Sequence, residues 1–383
     1  MRGSKIVIIG GGVVGASVAY HLAARGERDV LILERERRQG AGSTGKATGG
    51  VRAQFGTDIN IKMSLYSIGF FRDWEYDCGY DPKGYLFFAT DEAQFALLKR
   101  NVERQRSLGI SDVEIIGADE IARRVRGMNC SDIVGGTFRQ ADGFIDPLAV
   151  MRAFTEAAAG GGAKIELGAN VLAINAPGGR VRSVATAEGE IECDAAVLCS
   201  GAWAKELAAT AGIDLPVEPQ KRQIVWGRTR YALPAALPMV IDACCGFHFR
   251  PAKDRADEVL FAYPSPNAKT CFDTDFDESF IGEVYECAEK RARFLSDAEV
   301  MREKCRAGLY ENTPDHHAII GECGVEGLFL ANGFSGHGVM HSPATGRAIA
   351  EMILDGKANF LDVSCLSLDR FAKGELLHEA GYI

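Results

Sequence analysis

The stretch 5–34, KIVIIGGGVVGASVAYHLAARGERDVLILE, constrains the fold more than any other part of the chain. Its apolar run Ile6–Ile9 predicts a buried parallel strand. Gly10, Gly12 and Gly15 follow as G-x-G-x-x-G at the predicted turn into a helix. The first glycine allows a tight turn, the second lets a pyrophosphate approach the backbone, and the third lets the helix pack on the strand.

The residues after the glycines complete a βαβ unit. Apolar residues recur at helical spacing from Val14 to Leu22, and Gly26 is expected to end the helix. A second apolar strand, 30–33, ends in Glu34, where an acidic side chain can accept hydrogen bonds from a ribose. Strand, glycines, helix and terminal acid agree, so the stretch predicts a dinucleotide-binding unit, although it does not separate NAD from FAD.

Composition limits the remaining possibilities. With 383 residues, 47% hydrophobic and 25% charged, the chain is long enough for two lobes around large cores. The formal charge of -9 argues against nucleic-acid binding. No apolar run approaches the roughly eighteen residues of a membrane span, and no signal peptide precedes the first strand. We therefore expect a cytoplasmic protein with no integral membrane segment.

The eleven cysteines are odd in number and include no C-x-x-C pair, which favours reduced thiols and no metal site. Cys244 and Cys245 could form a redox pair, but small buried side chains are the favoured interpretation. Asp315, His316 and His317 resemble metal ligands on paper. Adjacent residues rarely point the same way, so we predict no metal there.

A glycine-rich loop is predicted at 35–54, directly after the second strand. Residues 40–46 satisfy G-x-x-x-x-G-K, the core of a phosphate-binding P-loop. Ala47 occupies the place of the required Ser or Thr, and no buried strand precedes the motif. A nucleotide hydrolase is therefore rejected.

The rest of the chain alternates between helical and strand-like patterns. Asp146 and Pro147 predict the start of a helix that runs to about residue 159. Near the end, 328–331 predicts a parallel strand, and Ser342 and Pro343 predict the N-cap and first residue of a helix ending at 355–356.

Four segments carry a family resemblance: GSTG and GGVR in the loop, SGAW at 200–203, GLYENTPDHHAIIG at 308–321 and GLFLANGFSGHGVMHSP at 327–343. With the glycine fingerprint, they resemble the FAD-dependent amine oxidoreductases of the D-amino-acid-oxidase superfamily. The nearest branch is the group of the sarcosine oxidase β-subunit and the dimethylglycine and proline dehydrogenases.

This resemblance implies an α/β fold with an FAD-binding Rossmann-like domain of the glutathione-reductase type. A second, α+β substrate domain is built on a mixed or antiparallel sheet. The expected FAD-binding domain comprises 1–85, 147–222 and 306–383, and the substrate domain comprises 86–146 and 223–305. The expected FAD contacts are Gly10, Gly12, Val14, Gly15, Glu34, Arg35, Ser43, Thr44, Lys46, Gly50, Val171, Ser200, Gly201, Trp203, Gly308, Gly336, His337, Gly338, Val339 and Met340.

Three residues are candidates for the reaction itself. Arg52 falls where sarcosine oxidases carry an arginine that binds the substrate carboxylate, and a guanidinium suits bidentate binding of that group. Arg250, after an F-x-F pair near a strand end, is a secondary substrate candidate. His337 is a candidate base, although the resemblance assigns its segment a backbone role beside the flavin.

Two departures from the family pattern refine the expectation. Gly308 replaces the cysteine that bonds flavin covalently in monomeric sarcosine oxidases, so we predict dissociable FAD. Met340 replaces a lysine that assists carboxylate binding. Strand 259–263 also lacks the oxygen-activating lysine of those enzymes, which favours a dehydrogenase.

The sequence thus predicts oxidation of a small amino acid or secondary amine, such as sarcosine, dimethylglycine or proline, by hydride transfer to flavin N5. The product is an imine that hydrolyses, and oxygen or a redox partner protein takes the electrons. Two alternatives stay open: a 2-hydroxy acid dehydrogenase, and a non-catalytic flavoprotein serving as an assembly factor or as a subunit of a hetero-oligomer.

Overall fold

The computed structural model describes residues 2–379 of the chain. The strands in this part are, in chain order, β1 (Arg2–Gly3), β2 (Ile6–Ile9), β3 (Val30–Glu34), β4 (Gly50–Val51), β5 (Tyr85–Ala89), β6 (Val113–Ile116), β7 (Gly135–Arg139), β8 (Gly143–Phe144), β9 (Lys164–Leu167), β10 (Val171–Asn175), β11 (Ser183–Thr186), β12 (Gly189–Glu192), β13 (Ala195–Leu198), β14 (Glu218–Arg228), β15 (Met239–Asp242), β16 (His248–Pro251), β17 (Glu258–Ala262), β18 (Glu299–Val300), β19 (Arg306–Asn312), β20 (Ile319–Glu322) and β21 (Leu328–Asn332).

The α-helices of the described residues are α1 (Val13–Ala24), α2 (Ser43–Lys46), α3 (Asp58–Asp73), α4 (Glu92–Ser107), α5 (Ala118–Arg124), α6 (Pro147–Gly160), α7 (Ala204–Thr210), α8 (Ser279–Arg291), α9 (Arg293–Ser296), α10 (Gly338–Asp355) and α11 (Asp369–Lys373). Among these described helices, none is both long enough and apolar enough to cross a membrane.

A largely parallel sheet forms the first half of the fold, in the order β20-β21-β13-β2-β3-β9. The strands β21, β13, β2, β3 and β9 run parallel, and β20 pairs antiparallel at the edge. The predicted βαβ unit is therefore its centre, since β2 and β3 are neighbours joined by α1.

The alternation of side chains in β2 separates two cores. Ile6 and Ile8 pack with residues of α1, α6 and α10 on one face of the sheet. Val7 and Ile9 pack on the other face against the small sheet β1-β12-β11-β10 and α7. Both faces of the strand are thus buried, as parallel strands require.

A mixed sheet forms the second half, in the order β18-β14-β17-β16-β15-β5-β7-β6, with β19 also pairing with β14. Only the β15–β5 pair is parallel within this part of the described chain. Helices α5, α8 and α9 cover one face. Its other face turns toward the parallel sheet, so the predicted fold class is confirmed.

The predicted domain ranges stay a prediction. Strand β14 runs through the proposed boundary at residue 222, and it pairs with β19, a segment assigned to the FAD-binding domain. A single continuous strand therefore joins the two halves at this point.

The loop 35–54 contains more regular structure than predicted, since α2 and the short strand β4 lie within it. The sequence did not predict these two elements because each is too short to show a periodic pattern of apolar residues.

The prediction for the start of α10 was wrong. The helix begins at Gly338 with His337 as the N-cap, and Pro343 lies inside it. A proline there cannot donate to the carbonyl of Val339, four residues earlier. The Ser342 hydroxyl donates to that carbonyl instead, at 2.9 Å, so the helix continues through the proline.

The prediction for α6 is confirmed. The Asp146 side chain caps the helix by accepting hydrogen bonds of 3.0 Å from the N–H groups of Leu148 and Ala149, and Pro147 is the first helical residue.

Candidate functional site

A cavity of about 600 Å³ lies where the carboxyl ends of four parallel strands face the mixed sheet. Its walls include residues at the ends of β2, β3, β13 and β21, the segment 42–52, strands β14, β16 and β19, and the start of α10. Open α/β sheets bind their ligands at this edge.

The glycine turn after β2 is shaped by close backbone approaches. Gly10 has φ +109°, and a Cβ there would lie 2.4 Å from the Cys199 carbonyl oxygen. A Cβ at Gly15 would lie 2.0 Å from the Gly10 carbonyl oxygen. A side chain at either position would force the strand, turn and helix apart.

The N-terminus of α1 faces the cavity with unused N–H groups. The Val13 N–H donates to Thr44 Oγ1 at 3.1 Å. The N–H groups of Val14 and Gly15 have no intrahelical acceptor, and the first turn of α1 contains no acidic residue. Together with the positive end of the helix dipole, they suit an anionic group such as a pyrophosphate.

Glu34 is held by backbone at the end of β3. Its Oε2 accepts a hydrogen bond of 2.9 Å from the Gly11 N–H, and its Oε1 accepts one of 2.9 Å from the Glu36 N–H. Nearby, the Arg35 guanidinium lies 3.5 Å from the centroid of the Trp203 ring.

Arg52 also lines the cavity, just after β4. It is 7% exposed, and its guanidinium lies 4.5 Å from the Phe55 ring centroid and 5.4 Å from that of Phe87. Its Nε has no hydrogen-bond partner, and no carboxylate in the described residues pairs with it. A buried cation in this state can accept an anionic ligand without displacing a protein partner.

The first turn of α10 lies near Arg52 in the cavity wall, since His337 and Arg52 both contact the Phe55 ring. The N–H groups of Gly338, Val339 and Met340 have no intrahelical acceptor. Gly336 has φ +96°, and a Cβ there would lie 2.5 Å from the Tyr310 ring. The loop therefore brings bare backbone and a helix N-terminus to one wall.

Burial lowers the pKa of His337 well below its ordinary value, and the Arg52 charge lowers it further. Its ring meets the Phe55 ring edge-on, with centroids 5.0 Å apart. The imidazole is therefore neutral at ordinary pH and a weak proton acceptor.

Several cavity residues were missed by sequence reasoning. Burial raises the pKa of Glu311 to about 7, and its Oε2 has no hydrogen-bond partner. Burial lowers the pKa of His248, which lies on β16. Arg222, Tyr85 and Tyr310 also line the cavity. Because alternate residues of a strand share a face, the pattern in 218–228 could have shown that Arg222 lies on the same face as Ile224, which also lines the cavity. No local pattern identifies Glu311, His248, Tyr85 or Tyr310 as cavity residues.

Most predicted site residues do line this cavity. The exceptions are Gly15, which packs α1 on the Gly10 turn, and Arg250. Arg250 lines a separate cavity of about 190 Å³ and donates to the carbonyl oxygens of Thr48 and Pro251. Burial lowers the pKa of Arg250 to about 10. Its placement supports a structural tie to the loop, not a substrate contact.

Of the paired histidines, His317 is held by neighbouring polar groups. His317 Nδ1 lies 2.7 Å from the Asp315 carbonyl oxygen, and its Nε2 lies 3.0 Å from Thr57 Oγ1. The Asp315 carboxylate forms a two-fold ion pair with Arg370 at 2.8 and 2.9 Å. Within residues 2–379 no cluster of three or more potential ligands could hold a metal ion.

A family model described as DAO, FAD dependent oxidoreductase, matches residues 5–352. The chain belongs to this family. It is therefore an FAD-dependent oxidoreductase, and the predicted family and cofactor are confirmed.

The relatives agree over nearly the whole chain. An FAD-dependent oxidoreductase domain-containing protein 1 from Xenopus laevis is 29% identical, over 99% of this chain and 85% of its own length. The mitochondrial dimethylglycine dehydrogenase of Mus musculus is 28% identical over 97% of this chain but only 44% of its own length. The structure of L-proline dehydrogenase from P. horikoshii superimposes with a TM-score of 0.90 and 29% identity, covering 98% of this chain and all of that one.

The cavity fits FAD on its own geometry. Glycines whose Cβ would collide with backbone form the turn after β2, and two helix N-termini with unused N–H groups line the cavity. A pyrophosphate suits the α1 end, and a planar ring suits the bare backbone at 336–340.

Proposed function

We propose that this chain oxidises a small amino acid or secondary amine whose carboxylate is bound by Arg52. The observation that carries this proposal is the buried guanidinium of Arg52, with its unpartnered Nε, in the cavity that fits FAD. The activities named for relatives support the amine class, since these proteins include a dimethylglycine dehydrogenase, a 4-methylaminobutanoate oxidase and a proline dehydrogenase.

Arg52 contributes binding and orientation. Phe55 and Phe87 line its guanidinium and exclude water from it, which strengthens its attraction for a carboxylate. A substrate held by two parallel hydrogen bonds keeps its α-carbon or N-methyl carbon in one orientation, which lowers the entropic part of the barrier.

FAD, when bound, supplies the acceptor for the hydride that leaves this carbon. The N–H groups of Gly338, Val339 and Met340 would hold the ring end of the cofactor and favour negative charge there. The residues that would hold the phosphates and ribose are those around the α1 N-terminus and Glu34.

His337 and His248 are the histidines among the described residues that line the cavity, and a histidine ring is the usual proton acceptor in such a site. Burial lowers the pKa of both His337 and His248, so both rings are poor proton acceptors. We therefore propose that the substrate amine binds in its neutral form and that the resulting imine is hydrolysed by water.

We propose that FAD is bound without a covalent link. Gly308 has no side chain, and Cys305 lies outside the cavity and accepts a hydrogen bond from the Trp226 N–H. Cys199 lines the cavity, but burial raises its pKa, which keeps it a thiol.

We also propose that a redox partner, not oxygen, takes the electrons. Strand β17 contributes Ala262 to the cavity, and Lys46 is the sole lysine among its described lining residues. Turnover with an artificial acceptor should exceed turnover in air by at least tenfold. Equal rates would show an oxidase. Cytoplasmic localisation and membership in a hetero-oligomer stay predictions.

The test is anaerobic titration of the yellow holoenzyme with sarcosine, dimethylglycine, proline, other amino acids and 2-hydroxy acids. The proposal is supported if an amine or amino acid bleaches the flavin. The rate of bleaching should fall at least 10²-fold in Arg52→Gln and be partly restored in Arg52→Lys. The matched control is Arg228→Gln, an exposed arginine outside the cavity. Bleaching by 2-hydroxy acids alone would favour a 2-hydroxy acid dehydrogenase. Bleaching by none of these compounds would favour a non-catalytic flavoprotein.

A further inference from the structure

A second guanidinium group lines the same cavity. Arg222 lies on β14, and its Cζ is 5.5 Å from the centroid of the Tyr310 ring. Tyr310 in turn touches the Gly336 turn beside the start of α10. Within the described chain Arg222 forms no ion pair with an acidic side chain. Its charge is therefore available to a ligand.

The pairing of the mixed sheet places this cation across the cavity from Arg52. Phe87, below Arg52, pairs with Ile241, which pairs with His248, which pairs with Ala262. Strand β14 is the next strand after β17, and Arg222 lies on it three residues before Val225, the partner of Phe261. Four spacings of about 4.8 Å put the two edges of this row roughly 19 Å apart, before the two long side chains reach inward.

His248 lies between the two cations. Both charges act on this ring, since Arg52 and Arg222 each lower the pKa of His248 beyond the effect of burial. Of the acidic residues that line the cavity, Glu34 and Glu36 lie at and just after the end of β3, and Glu206 lies on α7, so none of these three belongs to the mixed sheet. Glu311 is the remaining acid, and burial raises its pKa to about 7. The space between the cations therefore has excess positive charge.

We propose that the substrate is a dicarboxylic amino acid or amine, with one carboxylate on Arg52 and the second on Arg222. This inference rests on the proposed function and adds the substrate class. A substrate with a single carboxylate would leave one guanidinium without a counter-charge, whereas a second carboxylate a few bonds away matches both. Arg222 would act in specificity, and Arg52 in positioning the reacting carbon.

The test compares two substrates of equal size and different charge, N-methylglutamate and N-methylglutamine, with the reconstituted holoenzyme. The wild type should show a kcat/KM at least tenfold higher for N-methylglutamate. Arg222→Gln should reduce that ratio at least tenfold, with FAD content unchanged, and Arg222→Lys should restore part of it. Arg228→Gln, on the same strand and outside the cavity, should leave the ratio unchanged.

A binding measurement separates failure of this inference from failure of the proposed function. Glutarate should perturb the flavin absorbance of the holoenzyme at a concentration at least tenfold lower than glutaramate, and Arg222→Gln should abolish the difference. This result would support the subsite even if no amine bleached the flavin. Equal affinity of the wild type for the two acids, an unchanged ratio in Arg222→Gln, or loss of FAD in that variant would overturn it.

Discussion

Glu34 Oε2 accepts a hydrogen bond of 2.9 Å from the Gly11 N–H, which ties the end of β3 to the glycine turn. The carboxylate thus shapes the turn in addition to facing the cavity.

Replacing this carboxylate should weaken cofactor binding. Glu34→Ala leaves the Gly11 and Glu36 N–H groups without their acceptor, at a cost of about 1–2 kcal/mol. We expect the dissociation constant for FAD to rise at least tenfold, measured by fluorescence titration of the apoprotein. Glu188→Ala, in an exposed turn, is the control and should bind FAD normally. Unchanged affinity in Glu34→Ala would show that the tie is dispensable.

Gly15→Ala should destabilise the protein and lower its FAD content. The added Cβ would lie 2.0 Å from the Gly10 carbonyl oxygen, and overpacking of this kind costs about 1–3 kcal/mol. Gly69→Ala is a matched control in helix α3, because nothing lies within 4 Å of its Cβ. That variant should be about 0.5–1 kcal/mol more stable than the wild type. Urea unfolding of both measures the difference, and equal effects would contradict the prediction.

Glu311 should make stability depend on pH. Burial raises the pKa of its carboxyl to about 7, so the folded protein binds a proton between pH 4.5 and 7 that the unfolded chain releases. The stabilising contribution of this group to the free energy of unfolding is fully present below pH 4.5. It is lost as the pH rises through 7, and the loss is on the order of 3 kcal/mol. Glu311→Gln should remove this dependence, so its advantage in unfolding free energy over the wild type should grow from pH 5 to pH 8. A constant difference across that range would refute the assignment.

Asp142 should position the segment that carries Arg52. Its fully buried carboxylate accepts hydrogen bonds from the Ala53 N–H at 2.9 Å, Gln54 Nε2 at 3.1 Å and Arg139 Nη1 at 2.7 Å. Asp142→Ala removes the buried ion-pair partner of Arg139 and leaves the Ala53 N–H without its acceptor, while Arg139 keeps its bond to Asp112. We expect a cost of about 3 kcal/mol, the lower end for a broken buried ion pair.

The matched control for this pair is Asp112→Ala, which removes the half-exposed partner of the same arginine and should cost less than about 1 kcal/mol. For a positioning role, Asp142→Ala should also raise KM more than it lowers kcat. Equal changes in stability for the two variants, or an unchanged KM, would argue against this role.

The parts of the fold that sequence reasoning predicted well are those whose cause is local. The βαβ unit follows from glycines and apolar residues within 30 positions, and Asp146 and Pro147 start α6 as a cap and first residue do. The start of α10 was misjudged for the same reason. Ser342 and Pro343 have the local pattern of a helix start, yet the Ser342 hydroxyl satisfies the carbonyl that the proline cannot, and the helix begins earlier.

The site required information that no local pattern contains. Arg250 and His248 are two residues apart on β16, where alternate side chains share a face. His248 nevertheless lines the large cavity, whereas the Arg250 guanidinium turns to the carbonyls of Pro251 and Thr48 in the smaller one. Glu311 gives no sign in the sequence of the burial that shifts its pKa.

The sequence by itself determined the dinucleotide-binding unit, the family resemblance and the arginine expected to bind a carboxylate, because each depends on residues close together in the chain. The tertiary structure alone decided which cations share a cavity. Arg52 and Arg222 are brought to its two sides by strand pairing between distant segments, and burial, not residue type, decides which charged groups are left for a ligand.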